Sequence, residues 1–147
     1  MNSALDLPNA QHPEPNLWTG GQLSSRDLTR LGALGITTAI DLRGRGEPQP
    51  FHPPTAFAQH DVAYVQIPVE GGGDLSKQNA AKLAEAIDAS SGGVVVYCAS
   101  GNRVGALFAC HAKWYGELAL DEAIAIGNAR GLRQMEPMVR QILTLSP

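Results

Sequence analysis

The chain of 147 residues is poor in the residue types that build disulfide scaffolds and metal centres. It contains only two cysteines and four histidines, and none of them stands at the spacing of a metal-binding motif. The sequence therefore predicts no metal site and no cofactor. Two isolated thiols are also more typical of a protein kept in a reducing cytoplasm than of an oxidised secreted domain.

Long apolar runs and an excess of basic residues are missing as well. No apolar stretch reaches the length that crosses a membrane, and the polar, proline-containing first residues do not resemble a signal peptide. The formal net charge of −3 gives no reason to expect a nucleic acid or an acidic membrane surface as a partner. We therefore expect a soluble cytoplasmic protein with no membrane or nucleic-acid partner; the sequence leaves the number of subunits open.

Strands alternate with helices along the chain. The predicted strands cover 17–19, 36–42, 62–69 and 94–97. The first predicted helix begins at Ser24 or Ser25 and ends at Gly35, and a second begins at Ser76. Further helices are predicted over 103–115, 120–127 and 135–145, with one helical turn before His60. Residues 1–16 hold three prolines and are expected to form a tail on the surface. Residues 17–147 are expected to form one α/β domain, a mainly parallel sheet flanked by helices, with ligands at the carboxyl ends of its strands.

One segment carries a chemical signal. The β-branched residues 94–96 lead to Cys98, and Ala99, Ser100, Gly101 and Asn102 separate that cysteine from Arg103. This order places a thiol under the amino end of a helix, where backbone N–H groups and the helix dipole favour the thiolate. A cysteine at a strand end is more often inert packing, but packing does not need a small polar turn that ends in arginine. We therefore predict a nucleophile at Cys98, an anion ligand at Arg103, and substrate binding by residues 99–102.

Two reactions use a thiolate in such a loop of backbone amides. In phosphoryl transfer the sulfur attacks phosphorus, arginine and loop amides hold the phosphoryl oxygens, and an acid protonates the leaving group. In sulfur transfer the thiolate takes a sulfane sulfur as a persulfide and passes it to an acceptor, with no general acid. Either way, the expected partner is a small anionic or phosphorylated substrate.

The sequence resembles the bacterial tyrosine-phosphatase-like domain, which occurs alone or fused to metallo-β-lactamase-like hydrolases and persulfide dioxygenases. The segments that carry the resemblance are 17–23, 31–43 with Glu47, 64–69, 96–103 and 129–132. The resemblance implies a dual-specificity-phosphatase-like fold with Cys98 as nucleophile and Arg103 as oxyanion ligand. It also implies hydrolysis of a phosphate monoester, either protein phosphotyrosine or a small phosphate ester, through a thiophosphoryl-cysteine intermediate.

Two features of the sequence differ from the usual pattern of cysteine-based phosphatases. Cysteine-based phosphatases usually have five residues between cysteine and arginine, whereas this chain has four, a loop length similar to that of rhodanese sulfurtransferases. Phosphatases also usually have Ser or Thr after the arginine, where this chain has Val104; Ser100 is the nearby alternative hydroxyl. A rhodanese-like sulfurtransferase using Cys98 is therefore a second hypothesis, and a non-catalytic module that binds an anion or a partner is a third.

The predicted leaving-group acid is Asp74, which follows three glycines, with Glu70 as the second choice. The alternative for Asp74 is that it only helps to start the helix at Ser76. For the Asp41-Leu42-Arg43 segment and Glu47, an ordinary ion pair that orients a loop is expected.

Overall fold

Five strands form one sheet in the computed structural model, which describes residues 5–145. They are β1 (Gln11–Glu14), β2 (Leu17–Gly20), β3 (Ile36–Asp41), β4 (Ala63–Gln66) and β5 (Gly93–Tyr97). Their order across the sheet is β1-β2-β5-β3-β4. Strand β1 runs antiparallel to β2, and every other neighbouring pair is parallel. The mainly parallel sheet predicted from the sequence is thereby confirmed, and β5 lies at its centre.

Six α-helices, together with a 3-10 turn over Gly72–Asp74, complete the described part of the chain. They are α1 (Ser25–Leu28), α2 (Pro53–Gln59), α3 (Lys77–Ala89), α4 (Asn102–Trp114), α5 (Leu120–Ala129) and α6 (Glu136–Leu145). The predicted cap of α3 is present, because the Ser76 hydroxyl accepts from Asn79 N at 3.2 Å. No helix within residues 5–145 is long and apolar enough to span a membrane.

Side chains of β5 alternate between two apolar clusters, one on each face of the sheet. Val94, Val96 and Cys98 pack into a cluster with helices α3 to α6. Val95 and Tyr97 pack on the other face with residues of α1 and α2 and with Leu5 and Leu7. Burial on both faces explains why this strand is an uninterrupted apolar run in the sequence.

Two predicted elements are shorter than expected. The first helix ends at Leu28, because the Thr29 hydroxyl binds Arg26 O at 2.7 Å and turns follow as far as Gly35, whose φ is +75°. Strand β4 ends at Gln66 rather than at Val69, although Ile67 N still donates to Asp41 O at 2.9 Å and Val69 N to Leu42 O at 3.0 Å.

The prediction of a tail over residues 1–16 is wrong for residues 5–16; residues 1–4 lie outside the described residues. Leu5 and Leu7 are only 6% exposed and belong to the same cluster as Tyr97. Pro8 O accepts from Gly21 N at 2.8 Å, and β1 then pairs with β2. Strand β1 pairs with the edge of β2 that does not face β5. The sequence of this short, proline-containing segment did not predict that pairing.

Helices α4 and α5 approach each other through glycine. A Cβ on Gly105 would lie 2.1 Å from Leu132 N, and a Cβ on Gly127 would lie 2.8 Å from Gly105 O. Both positions therefore exclude any side chain, and backbone contact sets the position of the amino-terminal half of α4.

Candidate active site

Cys98 directly follows the central strand and is fully buried. Its backbone N donates to Gly20 O at 3.2 Å, and its Sγ accepts from Gly101 N at 3.1 Å. Gly101 has a φ of +88° and precedes the first residue of α4, so the chain turns back over the sulfur before the helix begins. We call residues 98–103 the cysteine loop. The thiol thus lies where the sequence places it, between the end of a strand and the start of a helix.

The remainder of the cysteine loop is anchored to its surroundings. Ala99 O accepts from Gln22 N at 3.1 Å, and Ser100 forms an isolated bridge with Gly21. The side-chain oxygen of Asn102 accepts from Arg133 N at 2.9 Å and from Met135 N at 3.2 Å. The Asn102 side chain therefore holds the turn before α6, so only its backbone is available for the predicted role in substrate binding.

Arg103 is held in place by a carboxylate. Its Nη1 and Nη2 donate to Glu47 Oε1 at 2.6 Å and Oε2 at 3.1 Å, and Nη1 also donates to Val69 O at 2.9 Å. The bidentate pair lowers the pKa of Glu47 to about 2 and raises that of Arg103. Burial acts against both charged forms, while the neighbouring sulfur adds to the rise for Arg103. The guanidinium is therefore permanently charged and oriented before any anion arrives.

Glu47 also confirms the ion pair expected from the sequence, since Arg43 Nη2 lies 3.1 Å from Glu47 Oε2. Sequence reasoning missed that the same carboxylate reaches Arg103. The signal that could have found this contact is the position of Glu47 in the loop after β3. Parallel neighbouring strands end at the same edge of the sheet, so the loops after β3 and β5 lie side by side.

A buried network orients the loop that carries Glu47. The Asp41 carboxylate accepts from Arg43 N at 2.7 Å, Gln49 Nε2 at 2.8 Å and Tyr64 OH at 2.6 Å. Tyr97 OH donates to Gln49 Oε1 at 2.9 Å. Burial and the Asp41 charge raise the pKa of both tyrosines, so both remain hydrogen-bond donors. Asp41 thus holds both ends of the segment 43–49. The sequence predicted that this loop is oriented by the Arg43–Glu47 ion pair and did not predict the bonds to Asp41.

A cavity of about 400 Å³ opens beside the cysteine loop. It is lined by Ser100, Asn102 and Arg103, by residues 69–72, and by Met135 and Met138. Of the charged residues in this lining, Arg103 is the cation and Glu70 the anion. Met135 and Met138 add apolar surface to the same cavity.

The two candidate acids belong to the segment 70–74, which we call the glycine loop. Asp74 does not line the cavity; its Oδ2 accepts from Glu70 N at 2.8 Å and closes the loop on itself. Glu70 lines the cavity, and its carboxylate accepts from Arg45 N at 2.8 Å and Arg45 Nη1 at 3.2 Å on the surface. The acid role of Asp74 stays a prediction, and Glu70 is the carboxyl group nearer to the candidate site.

The second cysteine lies away from this chemistry. Cys110 is fully buried in α4, and burial raises its pKa to about 12, so it is a packed thiol. Within residues 5–145, no group of three or more His, Cys, Asp or Glu side chains is arranged to hold a metal ion.

Comparison with known families decides what kind of protein carries this site. A family model described as "DSP-PTPase phosphatase fused to NAD+ kinase" matches residues 2–139. The chain belongs to this phosphatase family. No curated protein matches its sequence.

Solved structures establish that this family member has a dual-specificity-phosphatase-like fold. A candidate phosphatase from Neisseria meningitidis is 22% identical, with a TM-score of 0.74 over 93% of this chain and 97% of that one. The core catalytic domain of the PP-IP phosphatase SIW14 from S. cerevisiae is 14% identical, with a TM-score of 0.71 over 98% and 89%. P. aeruginosa TpbA is 13% identical, with a TM-score of 0.70 over 100% and 88%. At these identities the likeness concerns the fold alone.

Proposed function

We propose that this phosphatase-family protein hydrolyses a phosphate monoester with Cys98 as the nucleophile. The observation that carries the proposal is the juxtaposition of Gly101 N on the Cys98 sulfur, at 3.1 Å, with the anchored guanidinium of Arg103. A backbone N–H and a fixed cation stabilise a thiolate in the free protein and phosphoryl oxygens in the complex. A reducing cytoplasm is the compartment that suits such a free thiol.

The reaction has two steps. In the first, the Cys98 thiolate attacks phosphorus, an S–P bond forms, the ester P–O bond breaks, and the leaving oxygen takes a proton from an acid. In the second, water attacks phosphorus and gives a proton to the carboxylate formed in the first step, the S–P bond breaks, inorganic phosphate leaves, and the thiolate and the acid are both restored. Arg103 and the amides of residues 99–102 hold the equatorial oxygens in both transition states.

Glu70 is the proposed proton donor in the conformation described, because it lines the cavity whereas Asp74 does not. Its bond to the Arg45 side chain is a surface ion pair, which costs little to break when substrate enters. Asp74 has the alternative role of holding the glycine loop closed through Glu70 N. The two assignments are distinguished by a leaving-group experiment described below.

The cavity favours a substrate that carries one phosphate on an uncharged group. Arg103 is the single cation among the lining residues, and Glu47 already neutralises much of its charge. Met135 and Met138 offer contact to an apolar or aromatic carrier, such as the ring of a phosphotyrosine or a small aryl ester. NADP+ is the contrasting member of the substrate panel: the family description names NAD+ kinase, but the phosphomonoester of NADP+ is carried by a charged dinucleotide.

Sulfur transfer is the second candidate, and the length of the cysteine loop favours it. Four residues separate Cys98 from Arg103, and the buried Val104 supplies no hydroxyl to assist departure of the thiolate. In this reaction the thiolate attacks the sulfane sulfur of thiosulfate, an S–S bond forms on Cys98, and sulfite leaves with the electron pair of the broken S–S bond.

One experiment distinguishes these functions. Phosphate release from 4-nitrophenyl phosphate and the intact mass after brief exposure to thiosulfate are measured on the same preparation, with Cys98→Ser as control. Phosphate release that requires Cys98, with no added sulfur, supports the phosphatase. A Cys98-dependent gain of one sulfur atom without phosphate release overturns it in favour of the sulfurtransferase. No reaction in either assay, with vanadate still bound, overturns both and indicates a non-catalytic anion-binding module.

A further inference from the structure

One peptide unit of the cysteine loop is held at both of its ends. The N–H of the Ser100–Gly101 peptide donates to Cys98 Sγ at 3.1 Å, and its carbonyl oxygen accepts from Asn9 Nδ2 at 3.3 Å. In a planar trans peptide the N–H and the C=O point in opposite directions. A donor that fixes the oxygen therefore also fixes the direction of the N–H, which here points at the sulfur.

The amide of Asn9 is itself fixed in orientation. Its Oδ1 accepts from Gln11 Nε2 at 3.1 Å, and its Nδ2 also donates to Gly131 O at 2.9 Å. Both N–H groups of Nδ2 and one lone pair of Oδ1 are thus used. Asn9 has a φ of +52°, a backbone conformation that asparagine tolerates better than most residues.

The surrounding glycines leave space for this amide. A Cβ on Gly101 would lie 3.0 Å from Asn9 Nδ2, and a Cβ on Gly131 would lie 3.1 Å from the same atom. A Cβ on Gly131 would also lie 2.6 Å from Gly101 O. The Asn9 side chain therefore fills a gap between the cysteine loop and the turn that follows α5. The gap exists because Gly101 and Gly131, on its two sides, have no side chains.

We propose that Asn9 is a positioning residue of the active site: its side-chain amide holds the Ser100 carbonyl and thereby aims the Gly101 N–H at the Cys98 sulfur. The amino-terminal segment is then part of the anion-binding machinery, although it is separated from Cys98 by almost ninety residues of sequence. Asn9 touches neither the sulfur nor the substrate and acts only through this peptide. The inference rests on the proposed role of Cys98 as a thiolate.

Two variants test the proposal. Asn9→Asp keeps the shape of the side chain but replaces the donor with a carboxylate that repels both carbonyl oxygens. Asn9→Gly removes the side chain, and glycine accepts a φ of +52° without strain. The matched control is Asp6→Asn, which changes an exposed residue of the same segment that pairs with Arg30 at 3.3 Å, away from the cysteine loop.

The primary measurement is the ultraviolet absorbance of the thiolate as a function of pH, taken as the difference from the same variant carrying Cys98→Ser. We expect both Asn9 variants to move the midpoint upward by about half a pH unit, so that the thiolate fraction below the midpoint falls about threefold. The control variant keeps the midpoint of the unmodified protein. Where turnover is measurable, kcat/KM falls in parallel.

A lowered melting temperature with an unchanged midpoint in both Asn9 variants overturns the proposal, because it shows a purely structural role. This measurement needs no turnover and is therefore separable from the proposed function. A shifted midpoint in a protein that releases no phosphate supports the role of Asn9 while the phosphatase proposal fails.

Discussion

The two segments that border the cavity are held in opposite ways. The cysteine loop is tied to other parts of the fold, through Gly20 O, Gln22 N and the carboxylate of Glu47. The glycine loop is closed on itself by the bond from Glu70 N to Asp74. Its outward bonds go to Asn79 Nδ2, which donates to Asp74 O at 2.8 Å, and to Arg45, whose ion pair with Glu70 is exposed. The fold therefore fixes the proposed nucleophile and anion ligand by buried contacts, whereas the proposed acid, Glu70, is held by an exposed ion pair.

This contrast separates the proposed catalytic residues into two kinds. A group that must be aimed precisely lies on a strand end and a helix start, where burial and backbone bonds restrict it. A group that must approach and leave with each turnover lies on a loop of small residues, where local opening costs little. Substitutions in the glycine loop and substitutions in or next to the cysteine loop should therefore differ in their effects.

The largest expected effect comes from the glycine loop. Glu70→Gln should slow hydrolysis of an alkyl phosphate by roughly a thousandfold, because an alkoxide needs a proton to leave. The same change should affect 4-nitrophenyl phosphate little, since nitrophenolate leaves unprotonated. Asp74→Asn is the matched variant, because its amide oxygen still accepts from Glu70 N. A selective loss on the alkyl ester in Asp74→Asn, but not in Glu70→Gln, would make Asp74 the acid.

On the side of the cysteine loop, Glu47→Gln should lower kcat/KM by roughly 10²-fold, because the amide cannot hold both Nη atoms of Arg103 and the guanidinium loses its orientation. Steady-state kinetics on 4-nitrophenyl phosphate measure this effect. Glu136→Gln is the control, because it alters another glutamate–arginine pair, with Arg140 at 2.9 Å, outside the site. Full activity in Glu47→Gln would mean that the carboxylate has no role in orienting Arg103.

A smaller effect is expected from the turn of the cysteine loop. Gly101→Ala and Gly35→Ala both place a side chain at a positive φ, +88° and +75°, and each should lower the free energy of unfolding by about 1 kcal/mol. A Cβ at Gly35 meets nothing within 4 Å, whereas one at Gly101 meets Asn9. Gly101→Ala alone should therefore also lower activity, by about tenfold. Equal activity in the two variants would contradict this difference.

The smallest effect concerns stability against pH. The pKa of Glu47 is about 2 in the folded protein and has an ordinary value of 4.5. Its stabilisation is therefore complete above about pH 4.5 and is lost as the pH falls towards 2. Urea unfolding at about pH 6 and about pH 3 should show that the difference between the unmodified protein and Glu47→Gln shrinks by about 1 kcal/mol on the acid side. A difference that grows there would contradict the pairing.

Local sequence signals predicted the centre of the molecule and the core of the site. The β-branched run of β5, the small polar turn after it and the capping serine of α3 each carry their signal within a few residues. The edge strand β1 and the contacts of Asn9 depend on partners far away in the sequence, at Gly21, Ser100 and Gly131. The pairing of Glu47 with Arg103 likewise becomes visible only when β3 and β5 are known to be neighbours.

The glycine contact between α4 and α5 has a consequence for how this site can change. Side chains at a helix interface adjust in small steps, through other rotamers or the loss of a methyl group. At Gly105 and Gly127 no such step exists, since the smallest possible addition already overlaps with backbone atoms. The distance between the start of α4 and the Cys98 sulfur is therefore fixed by backbone contacts. Variation in the cavity beside it falls on outer lining residues such as Met138.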